Sequence, residues 1–228
     1  MRPPSLVIFD CDGVLVDSER ISNRVLAANL TSLGIAISTE ESRGRYQGLL
    51  LADIAARASA ELGRPLPADW AEGYERERDV AFEAELAVVP GARAAIEGVL
   101  AAGARACVAS QGRLAKTRLT LGLTGLRELF EPDALFSAES VPRGKPHPDL
   151  FLHAAAAMGF EPHATAVVED SPSGVKAARA AQMRVLGYSA DSDARALREA
   201  GAELICSMSE VPARLRLSDR PRRGRSRV

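Results

Sequence analysis

Two carboxylates stand at the end of an apolar run near the N-terminus. Residues Leu6 to Phe9 are all apolar, and Asp10 and Asp12 follow within three positions. The end of a buried strand is a costly place for a negative charge, because a carboxylate loses its hydration there. We therefore expect a positively charged group beside this pair, and we expect the pair to take part in chemistry.

Further polar residues follow other apolar runs. Ser110 ends the run ARACVAS, Glu169 and Asp170 end the run ATAVVED, and Lys145 stands in the loop segment GKPHPD. In open α/β sheets ligands bind at the carboxyl ends of the strands, so we expect these side chains to converge on one edge. A cluster of carboxylate oxygens favours a hard cation such as Mg²⁺.

This combination of groups indicates phosphoryl transfer. A metal ion and Lys145 would neutralise the charge of a phosphate, and the hydroxyl of Ser110 can donate a hydrogen bond to it. One carboxylate aligned on phosphorus can act as the nucleophile and form an aspartyl phosphate. The second carboxylate, two residues on, can protonate the leaving alcohol and then activate the water that breaks the intermediate.

Six short apolar runs have the composition of buried parallel strands. They do not alternate between apolar and polar residues, as expected when both faces of a sheet are covered. Helical patterns lie between them, at 91–103, 148–160 and 171–183, so we predict an α/β protein with a parallel sheet. The six runs are 6–9, 104–110, 134–139, 164–170, 183–188 and 202–207.

Residues 15 to 87 interrupt this alternation, because they contain helical patterns and no strand signal. We therefore predict an inserted α-helical cap domain over 15–87 and a catalytic α/β core formed by 1–14 and 88–217. An insertion directly after the first strand suggests a lid over the site. The arginine-rich segment 218–228 is predicted to be a disordered tail, with an arm that binds nucleic acid as the alternative.

These segments resemble the motifs of the haloacid dehalogenase superfamily. DCDGVLVDSE is similar to its first motif, VASQG to the second, GKPHPD to the third and VVEDSPSGVKAA to the fourth, in the same order along residues 6 to 207. The resemblance is closest to the β-phosphoglucomutase-like phosphatases, which carry a helical cap after the first motif. It implies a Rossmann-like parallel sheet core with an inserted α-helical cap domain.

The resemblance also implies roles for the residues that match. Asp10 would be the nucleophile and Asp12 the general acid and base. Ser110 and Lys145 would bind the phosphate, with Gln111 as a further candidate to bind substrate.

A Mg²⁺ site follows from the same resemblance. The metal would be held by Asp10, the main-chain carbonyl of Asp12 and Asp170, with Glu169 nearby. The alternative for Glu169 is a structural hydrogen-bond acceptor, and the alternative for Asp170 is the N-terminal cap of the next helix.

The cap segment SRGRYQGLL (42–50) resembles the substrate-facing loop of this family. Arg43, Arg45, Gln47 and Gly48 are therefore candidates to bind substrate. An arginine that faces the site would favour an acidic sugar phosphate such as 6-phosphogluconate. A position on the helix surface is the alternative for both arginines, and neutral sugar or polyol phosphates are the alternative substrates.

Membership of this superfamily leaves the reaction open. Dehalogenase relatives lack the second aspartate of the first motif, present here as Asp12, and phosphonate hydrolases use a cap lysine, whereas 15–87 contains none. Typical β-phosphoglucomutases carry a histidine and an arginine where this chain has Ser22 and Leu51. We expect a Mg²⁺-dependent phosphatase that hydrolyses a small phosphate monoester, with a sugar phosphate mutase as the alternative.

A phospho-acceptor receiver domain is the alternative from another class. It also gathers an acidic cluster, Mg²⁺, a hydroxyl and a lysine around a phosphorylated aspartate. Its phosphorylated aspartate comes well into the chain and it has no helical insert, so Asp10 and the insert 15–87 both argue against it. A binding protein without activity is disfavoured, because every core motif residue is present.

Composition sets the remaining expectations. A net charge of −1 provides no field for nucleic acid or an anionic membrane, and no apolar run approaches the ~20 residues of a membrane span. Three cysteines lack metal-site spacing, and Cys107 and Cys206 are predicted to be small core residues. The N-terminus lacks the pattern of a signal peptide. We expect a cytoplasmic monomer whose partner is a small phosphorylated metabolite.

Overall fold

The computed structural model describes residues 3–46 and 48–217. These residues form two compact units. The first unit joins the chain up to Leu15 to the chain from Val88 onward, and the second unit comprises Val16–Ala87. Gln47 and the predicted tail 218–228 lie outside the described residues.

A six-stranded parallel sheet forms the centre of the first unit, in the order β3-β2-β1-β4-β5-β6. The chain leaves the central strand β1 towards β2 and β3 on one side, and returns to place β4 on its other side. The carboxyl ends of β1 and β4 are therefore the topological switch point, where ligands bind in open α/β sheets. The strands are β1 (Leu6–Phe9), β2 (Arg105–Ser110), β3 (Leu135–Ser137), β4 (Thr165–Glu169), β5 (Arg184–Tyr188) and β6 (Glu203–Ile205).

Each of the six predicted runs contains one strand, which confirms the α/β class. All four residues of β1 have no exposed surface, as expected for an apolar run covered on both faces. The observed β3 is shorter than its run, because Ser137 caps a 3₁₀ turn over Ala138–Ser140. Cys107 is buried in β2, but the core prediction for Cys206 is wrong, since this residue follows the end of β6 and is exposed.

The second unit consists of four helices, so the helical prediction for this segment holds within its described residues. Its apolar core includes Leu30, Ile54 and Trp70, and the Trp70 ring stacks on Tyr74 at 6.0 Å between centroids. The helices are α1 (Glu19–Ser32), α2 (Thr39–Tyr46), α3 (Leu51–Leu62) and α4 (Trp70–Glu85).

Helices alternate with the strands of the first unit. They are α5 (Ala92–Ala101), α6 (Leu114–Leu123), α7 (Asp149–Ala157), α8 (Pro172–Ala180), α9 (Ala194–Ala200) and α10 (Val211–Arg214). Within the described part of the chain, every helix is too short or too polar to cross a membrane.

Candidate active site

Asp10 directly follows the central strand β1, and its carboxylate is buried there. The backbone N–H of Asp10 donates to the carbonyl of Val168 in β4 (2.9 Å), so the sheet sets its position. Lys145 Nζ donates to Asp10 Oδ1 at 2.5 Å. The positive group expected beside this carboxylate is therefore a lysine from a distant loop, and its side chain is only 4% exposed.

Lys145 Nζ has three acceptors, which matches the three hydrogens of an ammonium group. Besides Asp10 they are Glu169 Oε1 at 2.6 Å and the carbonyl of Ala109 at 3.2 Å. Burial by itself would lower the pKa of Lys145, but the charges of Asp10 and Glu169 outweigh it and raise the pKa above its ordinary value. Lys145 is thus a fixed cation at the switch point.

Both carboxylate oxygens of Glu169 are held by the protein. While Oε1 accepts from Lys145, Oε2 accepts from the N–H of Asp170 (2.9 Å), the N–H of Ser171 (2.8 Å) and the Ser171 hydroxyl (2.9 Å). The Glu169 side chain is 1% exposed. These contacts favour its interpretation as a structural acceptor that orients Lys145, while a role as metal ligand stays a prediction.

Gly174 in the first turn of α8 leaves room for this arrangement. A Cβ added to Gly174 would lie 1.8 Å from Glu169 Oε1, the oxygen that holds Lys145. We expect Gly174→Ala to displace Glu169, to lower the free energy of unfolding by about 1–3 kcal/mol, and to reduce kcat/KM because Lys145 loses its support. Urea unfolding and steady-state kinetics with the best phosphate ester measure the two effects.

Gly122→Ala is the matched control for this variant. Gly122 lies in α6 and is exposed, and a Cβ there would meet nothing within 4 Å. Alanine is the better helix former, so we expect unchanged activity and a gain of up to about 1 kcal/mol in stability. Equal stability and activity of the two variants would contradict the close approach at Gly174.

Asp170 packs against the loop that follows Asp12. A Cβ added to Gly13 would lie 2.2 Å from Asp170 Oδ2, and Gly13 has a φ of +76°, which favours glycine. Ser192 also donates to Asp170 Oδ2, at 3.4 Å. The structure therefore brings the carboxylate after β4 to the loop after β1, as the sequence predicted.

Ser110 ends β2, the strand beside β1. Its hydroxyl oxygen accepts from the N–H of Gly112 at 3.0 Å, and the residue is buried. A serine hydroxyl can donate one hydrogen bond while it accepts another, so this contact is compatible with donation to a phosphate oxygen.

Gln111 connects the loop after β2 to the loop of Lys145. Its side-chain oxygen accepts from the backbone N–H of Lys145 at 2.9 Å. A Cβ added to Gly144 would lie 2.5 Å from Gln111 Nε2, so the amide fills the space beside this glycine. The observed contact is structural, and substrate binding by Gln111 stays a prediction.

Lys116 is a site residue that the sequence analysis missed. It lies in the first turn of α6, and its Nζ donates to Asp12 Oδ1 at 2.8 Å. The sequence does contain a signal for it, because the chain has only three lysines among 29 basic residues. Two of these three, Lys116 and Lys145, contact carboxylates of the first motif.

The negative charge at this edge exceeds the positive charge. Burial raises the pKa of Asp10 to about 7, and the neighbouring carboxylates of Glu169 and Asp12 add to the effect, while Lys145 opposes it. Three of the four carboxylates at this edge, those of Asp10, Asp12 and Glu169, pair with the two lysines, and the fourth, that of Asp170, lies beside Gly13. One divalent cation would balance this excess.

The donor set fits a hard cation that keeps much of its hydration. Among the residues with described positions, no three His, Cys, Asp or Glu side chains form a cluster that could hold a metal by themselves. Mg²⁺ does not require such a cluster, because it binds proteins through one or two carboxylates and keeps waters or phosphate oxygens as its other ligands. The carboxylates of Asp10 and Asp170 and the main-chain carbonyl of Asp12, which are the predicted ligands, would meet that requirement.

The predicted substrate-binding residues Arg43, Arg45 and Gly48 lie in the helical unit. Arg45 pairs with Glu61 at 3.4 Å, and both side chains are nearly half exposed. Arg43 is exposed on α2, and Gly48 has a φ of +78°. These positions are compatible with the helix-surface interpretation of the two arginines, and their binding of substrate stays a prediction.

Comparison with known proteins identifies the family of this chain. Residues 4–182 match the model of the haloacid dehalogenase-like hydrolases. The chain is 33% identical to 6-phosphogluconate phosphatase of Escherichia coli K12 over 207 residues, which cover 90% of this chain and 92% of the relative. It is 32% identical to hexitol phosphatase B of the same organism over 179 residues, which cover 78% and 80% of the two chains.

Solved structures share the fold over nearly the whole chain. A haloacid dehalogenase family hydrolase from Deinococcus radiodurans, with bound phosphate and sodium, is 28% identical with a TM-score of 0.78 and covers 95% of this chain and 98% of its own. A β-phosphoglucomutase-like protein from Thermotoga maritima is 26% identical with a TM-score of 0.77, covering 95% and 99%.

The family match and the phosphatase relatives, together with the acid-lysine cluster at the switch point, identify a phosphoric monoester hydrolase. The chain belongs to the haloacid dehalogenase-like hydrolases, and its relatives include sugar-acid and polyol phosphatases as well as β-phosphoglucomutase-like proteins. The predicted family and enzyme class are confirmed.

Proposed function

We propose that this protein is a Mg²⁺-dependent phosphatase that hydrolyses a small phosphorylated sugar, sugar acid or polyol through an aspartyl phosphate on Asp10. The observation that carries the proposal is the buried contact of Asp10 with Lys145 at the switch point of the sheet. A carboxylate there is held by the fold, desolvated and supported by a fixed cation. These are the properties of a nucleophile that attacks an anionic phosphate.

The metal is proposed to be held by Asp10, the main-chain carbonyl of Asp12 and Asp170. When bound, Mg²⁺ supplies positive charge that offsets both the carboxylates and the phosphate. Lys145 adds a second positive charge, and its three hydrogen bonds keep it in place for every turnover. Ser110 is proposed to donate to a phosphate oxygen.

The two aspartates have different proposed roles: Asp10 forms and breaks the bond to phosphorus, and Asp12 makes both proton transfers. In the first step an oxygen of Asp10 attacks phosphorus, the bond to the sugar oxygen breaks, and Asp12 gives its proton to that oxygen. In the second step water attacks phosphorus, its proton goes to Asp12, and the bond to Asp10 breaks to release phosphate. The enzyme returns to its starting state.

The names of the curated relatives support the substrate class. One is a 6-phosphogluconate phosphatase and another a hexitol phosphatase, and each matches this chain over most of its length. A sugar phosphate mutase is the second candidate, because a β-phosphoglucomutase-like protein shares the fold. Arg43, Arg45, Gln47 and Gly48 are proposed to influence the choice of substrate.

A substrate panel with and without metal tests the proposal. We expect phosphate release in Mg²⁺ from one member of a set containing 6-phosphogluconate, hexose and pentose phosphates, hexitol phosphates, phosphoglycolate and β-glucose 1-phosphate. We expect exhaustive chelation to abolish phosphate release, because the excess of carboxylates then lacks its counter-ion. Added Mg²⁺ should restore phosphate release.

Three results would contradict parts of this proposal. Full activity after exhaustive chelation would remove the metal from the mechanism. Conversion of β-glucose 1-phosphate to glucose 6-phosphate without net phosphate release would assign the mutase activity instead. A phosphatase active only on compounds without a sugar or polyol would overturn the substrate class alone.

A further inference from the structure

The ion pair between Lys116 and Asp12 is an arrangement that the proposed roles do not use. Lys116 Nζ lies 2.8 Å from Asp12 Oδ1, and each of the two side chains is only 16% exposed. A pair this well removed from water is worth more than a surface salt bridge, because water and salt screen it less. It also joins two segments that are 104 residues apart in the chain.

Lys145 makes its hydrogen bonds with groups other than Asp12. Its hydrogen bonds go to Asp10, Glu169 and Ala109, which accounts for all three hydrogens of its ammonium group. The structure therefore provides Asp10 and Asp12 with separate cations, Lys145 and Lys116.

The geometry distinguishes the two oxygens of Asp12. Oδ1 is held by Lys116, whereas Oδ2 is the Asp12 oxygen nearer to Gly112. A Cβ added to Gly112 would lie 3.7 Å from Oδ2, 3.4 Å from Ser110 Oγ and 3.5 Å from Lys116 Cδ. Oδ2, Ser110 Oγ and the Lys116 stem thus border the same glycine, and Ser110 is the residue proposed to bind the phosphate.

We propose that Lys116 is a positioning residue for catalysis: it holds Asp12 by Oδ1 and thereby directs Oδ2 to the proton that Asp12 exchanges. This inference rests on the proposed function, because it requires Asp12 to be the acid and base. Lys116 itself forms and breaks no covalent bond. In the second step the water oxygen bonds to phosphorus, the water proton goes to Asp12 Oδ2, and the electron pair of the breaking bond returns to Asp10.

A substrate with a good leaving group separates this role from a merely structural one. Nitrophenolate leaves without a proton, so attack by Asp10 on p-nitrophenyl phosphate does not need Asp12. Breakdown of the aspartyl phosphate still needs it. A misdirected Asp12 therefore slows the second step and leaves the first intact, so that the phosphorylated enzyme accumulates.

The experiment compares Lys116→Met, Lys116→Arg, Lys176→Met and Asp12→Asn, with p-nitrophenyl phosphate and with the ester that the native protein hydrolyses fastest. Lys176 is an exposed residue of α8, so its variant is the matched control. Stopped-flow and acid-quench measurements record the burst of product and the amount of phosphorylated enzyme, and steady-state kinetics give kcat and kcat/KM.

We expect Lys116→Met to lower kcat about 10- to 100-fold and to accumulate phosphorylated enzyme, with kcat/KM for p-nitrophenyl phosphate changed little. For the sugar or polyol ester, whose oxygen needs the proton, kcat/KM should fall as well. Lys116→Arg should recover part of the loss because it retains the cation, and Lys176→Met should behave as the native protein.

The outcomes separate the two proposals. If Asp12→Asn blocks breakdown of the phosphorylated enzyme while Lys116→Met behaves as the native protein, the role of Lys116 is wrong and the proposed function stands. If Asp12→Asn itself has native kinetics, the acid and base role fails and the inference fails with it. A uniform loss in Lys116→Met, with kcat and kcat/KM lowered equally on both substrates, would assign Lys116 to structure alone.

Discussion

Asp10→Asn is expected to abolish turnover, with a loss on the order of 10⁴-fold or more. An amide nitrogen or oxygen in this position cannot form the aspartyl phosphate, and Glu169, the other carboxylate on Lys145, has both oxygens engaged in hydrogen bonds. Initial rates with the best ester in Mg²⁺, together with acid-quench detection of phosphorylated enzyme, measure the effect. Hydrolysis near the native rate would remove the covalent mechanism.

The same variant is expected to make the metal-free protein more stable. Burial raises the pKa of Asp10 from 3.8 to about 7, so the folded protein binds this proton more tightly than the unfolded chain. The charged carboxylate therefore lowers stability increasingly as the pH rises from about 4 to about 7, and fully above that range. Asparagine carries no charge and avoids this loss.

We expect the stabilisation of Asp10→Asn to be on the order of a few kcal/mol at pH 8 and small near pH 4. Urea unfolding in chelator at several pH values measures it. Asp133→Asn, at an exposed aspartate before β3, is the matched control and should alter neither activity nor stability. A variant of Asp10 that is less stable than the native protein at pH 8 would contradict the assignment of a costly buried charge.

Lys145→Met is expected to have the second-largest effect, because it removes charge from both the reaction and the fold. Loss of a fixed cation beside the proposed nucleophile should lower kcat/KM by about 10²- to 10³-fold. Asp10 and Glu169 would then face each other in a buried site without their shared partner, so we expect a loss of about 3–5 kcal/mol in stability. Kinetics and urea unfolding measure the two quantities.

A double variant tests the physical reason for that instability. If the loss comes from unpaired buried carboxylates, Asp10→Asn combined with Lys145→Met should be more stable than Lys145→Met alone. Lys145→Arg should fail to restore activity, since a larger planar guanidinium cannot take the place of an ammonium group with three close acceptors. Native activity in Lys145→Met would refute the proposed phosphate site.

The sequence alone was sufficient to predict where the strands lie and which aspartates follow β1 and β4. Unalternating apolar runs report burial on both faces, which is a local property of composition, and β1 occupies the predicted run 6–9 without change. The places of Asp10, Ser110 and Asp170 follow from the strands before them. Strand order along the chain, together with the known preference for ligands at carboxyl ends, predicted that these residues meet.

Only the tertiary structure decided which charges pair. Lys145 and Lys116 both follow a strand by several residues, and nothing local to either segment determines that one contacts Asp10 and the other Asp12. Glu169 and Gln111 occupy motif positions in the sequence, but their observed hydrogen bonds support the Lys145 loop. Pairing between distant segments depends on side-chain packing at the strand ends, and a linear sequence carries residue types and spacing but not those distances.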